Sequence, residues 1–255
     1  MNKLLNRRQI LRGILLSTAI GGTVLASRRY IGPVRDIYDL TDSLNYNLHN
    51  FLLSNQPLVR EFDKADVSVN FPTSGTVLPK DDDYQRFLGN DFADWSLSID
   101  GLVENSLSLS LADLKNMKAQ TQTTLHTCDE GWSAIGEWTG VPLASLLTLA
   151  GLKPGAKYIV FHCMDTFGSN QQRYYESIDL FSANHPQTIL AYGLNGESLP
   201  VKNGAPLRLR VETQIGYKHA KYVGRVEVVD SLQNIGSGRG GWWEDYDHAP
   251  WYAGL

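Results

Sequence analysis

His126-Thr-Cys-Asp-Glu-Gly-Trp-Ser-Ala-Ile-Gly-Glu-Trp-Thr-Gly-Val-Pro-Leu143 is the stretch around which the rest of the chain is organised. It closes an alternating run, residues 123–128, which predicts a β-strand that delivers a cysteine thiol into a loop rich in glycine and tryptophan. A thiol in that setting is a nucleophile, half of a disulfide, a metal ligand or a small buried apolar group. Composition alone favours the buried apolar group, since free cysteine is among the most buried residue types.

Two further segments downstream carry motifs that belong with the cysteine stretch. They are a basic segment, made of Asn203–Arg208 and Gly216–Lys221, and the tail Gly240–Asp245. Together with the cysteine stretch they resemble the sulfite oxidase family, the molybdopterin-dependent oxidoreductases in which one cysteine ligates molybdenum. The resemblance covers the chain from about Phe62 to the C-terminus. It implies an α+β fold of sulfite-oxidase type, with mixed β-sheets and short helices, and a molybdenum–molybdopterin cofactor.

The resemblance also implies which residues hold that cofactor. Cys128 is the expected molybdenum ligand and catalytic residue, because thiolate suits a soft metal site and the metal itself deprotonates the thiol. Cys163 stands where the family often has threonine, and Asn70 is the candidate from an asparagine-containing cofactor loop. The full set of expected cofactor contacts is Asn70, Cys128, Cys163, Asn203, Arg208, His219, Ala220 and Lys221.

The basic segment suits the phosphate that the cofactor carries. Arg208 offers a fork of donors, while Lys218 and Lys221 offer point charges. Without the resemblance, a solvated basic face explains these charges equally well. A disulfide between Cys128 and Cys163 is a further alternative, because an exported protein meets an oxidising compartment.

Charge and cysteine count exclude several other classes. The net charge of −4 argues against nucleic acid as the main partner. Two cysteines are too few for an iron–sulfur cluster, and no Cys-x-x-Cys-His motif binds a haem covalently. The Gly-x-Ser-x-Gly motif, which indicates a hydrolase, is absent from the sequence, and no two histidines have the spacing of a zinc site. A redox enzyme of this composition exchanges electrons with an external carrier, such as a membrane or soluble cytochrome.

The N-terminus predicts export. Arg7 and Arg8 precede an apolar stretch, residues 14–26, which is typical of a twin-arginine signal and shorter than the ~20 residues of a spanning helix. We expect residues 1–34 to be this signal, read by the twin-arginine export machinery, and the protein to be periplasmic, or membrane-tethered if the signal is not cleaved. An ordinary secretory signal or a short uncleaved anchor is the alternative. Residues 35–61 are expected to form an amphipathic helix, and residues 62–255 the molybdopterin-binding domain.

Local patterns predict the other elements. Alternation predicts strands at residues 67–71, 95–99 and 207–211, with a return strand from residue 102 after an Asp100-Gly101 turn. Ser110 with Asp113 predicts a helix start, and Pro142 and Gly151 bracket another helix. Asn195-Gly196 predicts a hairpin between residues 189–192 and 198–201. The irregular order of strands and short helices differs from the regular alternation of strands and helices in a Rossmann fold.

The expected function is oxygen-atom transfer to or from a small-molecule substrate. Sulfite is a dianion and calls for forked cationic donors beside the metal, yet no arginine lies between Arg86 and Arg173. Asp129 and Glu130, which follow the ligand, repel anions. S-oxide or N-oxide reduction is therefore favoured over sulfite oxidation. The alternative is an exported non-catalytic protein that binds a partner or an anionic ligand through the basic segment.

Overall fold

The structure is a computed structural model that describes residues 43–48, 51–52, 55 and 57–255. The predicted export signal lies outside these residues. Within the predicted N-terminal helix, residues 43–48 and 51–52 are helical. Internal contacts divide the chain into Met1–Asn45 and Tyr46–Leu255, and the second unit is described below. Among the residues described, no helix has the length and apolar character needed to cross a bilayer.

Two five-stranded sheets form the frame of this unit. The first has the order β2 (Leu107–Ser110), β1 (Ser96–Gly101), β10 (Val223–Val229), β5 (Tyr158–Phe167) and β6 (Gln172–Asp179). Its β1–β10 pair is parallel and the others are antiparallel. The second is antiparallel, with the order β3 (Gln120–Thr127), β4 (Ser133–Pro142), β7 (Ile189–Leu194) and β8 (Glu197–Ser198), while β9 (Arg208–Arg210) also pairs with β7.

Short helices connect the strands. They are α1 (Asp82–Gly89), α2 (Leu111–Asn116), α3 (Leu143–Ala150), α4 (Leu180–Ala183) and α5 (Trp242–Tyr246), with 3-10 turns at Lys64–Asp66, Val201–Asn203 and Gly216–Lys218. The predicted start of α2 is confirmed. The Ser110 hydroxyl accepts from the Asp113 amide at 3.1 Å, and the Asp113 carboxylate accepts from the Ser110 amide at 2.9 Å. Mixed sheets with few short helices confirm the predicted α+β fold.

Two local predictions are wrong, and a third is wrong only in the extent of one strand. Residues 67–71 form no strand, and Val69 is 98% exposed, because only Phe71 of that run packs into a core. Residue 102 does not begin a return strand; Val103 forms an isolated bridge with Leu152, and β2 starts at Leu107. The predicted hairpin at Asn195-Gly196 is confirmed, but its second strand, β8, ends at Ser198 and not at residue 201, since Pro200 cannot donate to a ladder.

Candidate functional site

Cys128 lies at the tip of the β3–β4 hairpin. The two strands pair up to Thr127 opposite Ser133, and the loop between them is closed by a bond from the Cys128 amide to the Trp132 carbonyl at 2.9 Å. Gly131 takes a φ of +89° that favours glycine. The loop is shorter than predicted because residues 133–142 continue as β4. The sequence thus correctly places the thiol at the end of a strand, where it is 4% exposed.

The surroundings of the thiol do not activate it. Burial raises the pKa of the Cys128 thiol, and the charges of Asp129 and Glu130 raise it further. A nucleophilic role needs the thiolate, which this environment disfavours. A bound metal would override that preference by deprotonating the thiol. Both Cys128 and Cys163 are free, so the alternative disulfide is not formed.

The fold brings the basic segment against the cysteine loop. A Cβ placed on Gly216 would lie 3.0 Å from the Cα of Cys128 and 3.2 Å from Nε2 of His126. The absence of a side chain at Gly216 therefore permits the close approach of two backbone segments that are distant in sequence. Two of the three segments that carry the family resemblance, the cysteine stretch and the basic segment, therefore meet at one place in the fold.

Two buried histidines lie behind the thiol. The rings of His126 and His219 are 4.9 Å apart and perpendicular. Burial, and then the charge of Arg210, lowers the pKa of each well below its usual value, so both are neutral. His219 donates through Nε2 to the Gln214 carbonyl at 2.9 Å, which leaves Nδ1 as an acceptor. That buried Nδ1 has no partner among the described residues.

Arg208 is a buried cation with an unused donor. It is 3% exposed and donates to the carbonyls of Asn203 at 3.0 Å and His219 at 3.4 Å, while its Nε has no partner in the described part of the chain. Burial, and then the charge of Arg210, lowers its pKa to about 9, so it stays protonated at neutral pH. Asn203 is also buried. The alternative of a solvated basic face is wrong, since Lys218 and Lys221 are buried too.

The two lysines of the segment have different partners. Lys218 contacts Glu176 at 2.5 Å and Glu244 at 2.7 Å, so the expectation that it offers a charge to phosphate is wrong. Lys221 donates to the carbonyls of Ser74, Thr76 and Lys202. Burial, and then the charge of Arg208, lowers the pKa of Lys221 to about 7. Lys221 therefore joins the basic segment to the loop at residues 74–76.

The remaining predicted residues surround this cluster at different depths. Cys163 is buried on β5, opposite Val223 of β10. Ala220 is buried, and its carbonyl accepts from the Leu209 amide at 2.8 Å. Asn70 is exposed, next to Phe71, whose ring lies 5.7 Å from that of His126. Their cofactor contacts stay predictions.

The sequence reading missed a buried polar network under the site. Arg210 donates to Nδ1 of His126 at 2.7 Å and forms an ion pair with Glu212, which also accepts from Gln122 at 2.8 Å. The guanidinium groups of Arg208 and Arg210 both lie over the Trp138 ring. The two-residue spacing of Arg208 and Arg210 indicates that both side chains lie on one face of a strand. It does not reveal that this face is buried.

A cavity of about 70 Å³ opens beside the cysteine loop. Its lining includes the acids Asp129, Glu130 and Asp165, the aromatic residues Phe167, Tyr174, Tyr217 and Trp243, and also His219 and Lys221. Arg173, the first arginine after the cysteine stretch in the sequence, is bound to Asp81 at 2.7 Å and lies outside the cavity. No arginine is among the described lining residues. Trp243 comes from the tail and forms part of the wall.

Comparisons with known proteins show the family that the chain matches. Residues 86–234 match the family described as oxidoreductase molybdopterin binding domain. The chain is 40% identical over 164 residues to a putative protein-methionine-sulfoxide reductase subunit YedZ1 of Azospira oryzae, covering 64% of this chain and 57% of that one. It is 37% identical over 150 residues to the protein-methionine-sulfoxide reductase catalytic subunit MsrP of Xanthomonas campestris pv. campestris, covering 54% and 46%.

Among solved structures, the sulfane dehydrogenase SoxCD of Paracoccus pantotrophus is similar, with 27% identity and a TM-score of 0.49, over 58% of this chain and 44% of that one. The chain spans about half the length of the curated relatives it matches.

Proposed function

The chain belongs to the oxidoreductase molybdopterin-binding domain family, and from this premise we propose that it reduces the sulfoxide of methionine at the cavity beside Cys128. The observation that carries the proposal is the lining of that cavity, which combines aromatic side chains with three acids and has no described arginine. Such a lining suits a neutral, polar sulfur compound better than an anion. Two relatives bear the name of a protein-methionine-sulfoxide reductase subunit, the first of them as a putative one.

The residues behind the cavity fit molybdopterin. Buried donors and acceptors normally have partners, yet Arg208 Nε and His219 Nδ1 have none among the described residues. Arg208 and Lys221 would hold the phosphate, Asn203, His219 and Ala220 the pterin, and Cys128 the molybdenum. Gly216 leaves room for close backbone approach. When bound, the cofactor supplies oxygen-atom transfer and the two electrons that sulfoxide reduction consumes.

The protein's own contribution is selection and positioning. Phe167, Tyr174 and Trp243 form an apolar wall that suits the methylene and methyl groups of a thioether, and sulfur packs favourably against aromatic rings. Asp129 and Glu130 disfavour anions by about 1 kcal/mol or more each. Electrons would come from an external carrier, such as a membrane or soluble cytochrome.

The substrate prediction is tested with molybdenum-loaded protein. We expect turnover of methionine sulfoxide with a reduced artificial electron donor. With an oxidised acceptor at low ionic strength, kcat/KM for sulfite should be lower by about 100-fold, since two or three repelling charges act on the dianion. Trimethylamine N-oxide serves as a comparison for N-oxide reduction. Sulfite oxidation that is more efficient than sulfoxide reduction would contradict the proposal.

The second candidate, a non-catalytic protein that binds an anionic ligand through the basic segment, is weakened by burial. Arg208, Lys218 and Lys221 are at most 8% exposed, and Lys218 is neutralised by two carboxylates. The molybdenum content of protein from a cofactor-competent host separates the two candidates. Stoichiometric molybdenum supports the enzyme, and its absence supports the binding protein.

We also propose that the protein is exported to the periplasm by the twin-arginine route, because Arg7-Arg8 precede a short apolar stretch. Changing Arg7 and Arg8 to lysine is expected to keep the protein in the cytoplasm, measured by cell fractionation. The matched control changes Arg28 and Arg29 to lysine and should leave export intact. Normal export of the Arg7→Lys, Arg8→Lys variant would favour the ordinary secretory route.

A further inference from the structure

A bulge in the first sheet turns an acid toward the cavity. Between β5 and β6 the pairing runs from His162 opposite Tyr175 to Thr166 opposite Arg173, so three residues of β5 face one residue of β6. Bulges re-aim side chains, often beside active sites. Asp165 lies inside this bulge, is 2% exposed and lines the cavity.

The Asp165 carboxyl has an unused oxygen. Its Oδ1 is buried and has no hydrogen-bond partner within the described ranges, while the Thr76 side chain bonds to the carboxyl. A buried carboxylate oxygen without a partner is costly, and native proteins keep few such groups. The free oxygen is therefore available to a molecule in the cavity.

The buried position of this carboxyl favours a proton on it near neutral pH. Burial raises the pKa of Asp165 to about 7, and the opposing influence of Lys221 limits the rise. The titratable groups around it come from five segments. Within the first sheet they are Cys163 on β5 and Tyr174 and Glu176 on β6. The others are Tyr84 on α1, Lys221 and Tyr222 before β10, and Asp129 and Glu130 in the cysteine loop. A general acid works best when its pKa is close to the working pH.

The other polar groups of the cavity are less suited to deliver a proton. Lys221 already donates to three carbonyls. The Tyr174 hydroxyl donates to the Tyr217 carbonyl at 2.8 Å, and His219 uses its one ring proton on Gln214. Glu130 is exposed and accepts from the Trp132 indole at 3.1 Å. Among the described residues that line this cavity, Asp165 combines deep burial with a carboxyl oxygen that has no hydrogen-bond partner.

We propose that Asp165 is a catalytic general acid that protonates the oxygen leaving the sulfoxide. The inference rests on the proposed function. In the reaction R–S(O)–CH3 + 2 H⁺ + 2 e⁻ → R–S–CH3 + H2O, the S–O bond breaks, sulfur is reduced and two O–H bonds form in water. The two electrons would come from an external carrier, and the cofactor held by the residues above would supply the redox chemistry. Asp165 gives the first proton and regains it from solvent at the cavity mouth, from which the second proton also comes.

The test compares Asp165→Asn with Asp83→Asn in molybdenum-loaded protein. Asp83 is an exposed acid on α1 that pairs with arginines at the surface. In Asp165→Asn we expect kcat for methionine sulfoxide to fall about 100-fold or more, with KM little changed. The unsubstituted protein should lose activity as pH rises through about 7, because the acid form is the active one, whereas the residual rate of Asp165→Asn should not show this decline. Asp83→Asn should keep the rate and the decline.

A measurement without turnover keeps the role falsifiable if Asp165→Asn folds poorly. Loaded, resting protein labelled with carbon-13 at aspartate carboxyls should show one infrared band of a protonated acid that disappears as pH rises through about 7 and is absent from Asp165→Asn. The label separates this band from that of buried Glu176. Absence of the band overturns the proposal, as does an Asp165→Asn variant with full molybdenum and the normal rate. If the unsubstituted protein has the band and molybdenum but reduces no sulfoxide, the proposed function fails, and this role fails with it.

Discussion

Replacement of Cys128 by serine is expected to abolish turnover while the fold survives. A hydroxyl is a hard, poor ligand for a soft metal site, so the protein would lose its bond to molybdenum. The change is nearly isosteric at a position that is 4% exposed, and a buried hydroxyl costs about 1–3 kcal/mol. Turnover, molybdenum content and the sulfur signal in metal X-ray absorption measure the loss, and thermal unfolding checks the fold.

The matched control is Leu125→Ser, on the same strand but 42% exposed. It should keep its molybdenum and its rate, because the side chain faces away from the cysteine loop. Normal turnover in Cys128→Ser would remove Cys128 from the metal site. A collapse of the fold in Cys128→Ser alone would instead assign the thiol a packing role, the alternative that composition favours.

The cysteine loop shows which part of the site is readable from the sequence. Alternation over residues 123–128 is local, so the strand and the position of its thiol could be predicted. The following strand was read as loop because of its glycines. A Cβ on Gly140 would lie 2.1 Å from the Leu190 carbonyl of β7, so this glycine marks close approach of two strands. That approach depends on a distant partner and leaves no local signal.

Burial of charge is the other feature that the sequence does not reveal. Lys218 was expected at the cofactor because it stands in a basic run, but its partners Glu176 and Glu244 are 42 and 26 positions away. Asp165 was missed for a similar reason, since the bulge that aims it arises from the pairing of β5 with β6. Spacing indicates which face a residue occupies, while long-range pairing decides what that face meets.

Replacement of Lys218 by methionine is expected to cost about 3–5 kcal/mol in the free energy of unfolding at pH 7. Lys218, Glu176 and Glu244 are each at most 1% exposed at their side chains, and the lysine is the cation between two acids. Burial opposes the charge of Lys218, but the two carboxylates raise its pKa above the ordinary value. Methionine keeps the apolar stem and removes the charge, which leaves two buried acids without their cation.

The sign of the pH dependence follows from the pKa of Glu176. Burial, and then the charge of Glu244, raises this pKa well above its usual value. The folded protein therefore binds this proton more tightly than the unfolded chain, so the contribution of Glu176 to stability is fully present below its unfolded pKa and is lost as pH rises. Without Lys218 the rise is larger. The loss in Lys218→Met should thus be smaller at about pH 5 than at pH 7, measured by urea unfolding. The control Lys118→Met, at an exposed lysine, should change stability by less than about 0.5 kcal/mol.

The same substitution connects stability to the substrate cavity. Glu244 lies on α5 beside Trp243, which forms part of the cavity wall, and Lys218 joins that helix to β6 through Glu176. Weakening the ion pairs should loosen the wall and raise KM for methionine sulfoxide.

Adding Glu176→Gln to Lys218→Met should recover much of the lost stability, because one uncompensated charge is removed. If the loss is equal at both pH values and Glu176→Gln restores nothing, the lysine acts through its packing and the charge balance is not what holds the tail in place.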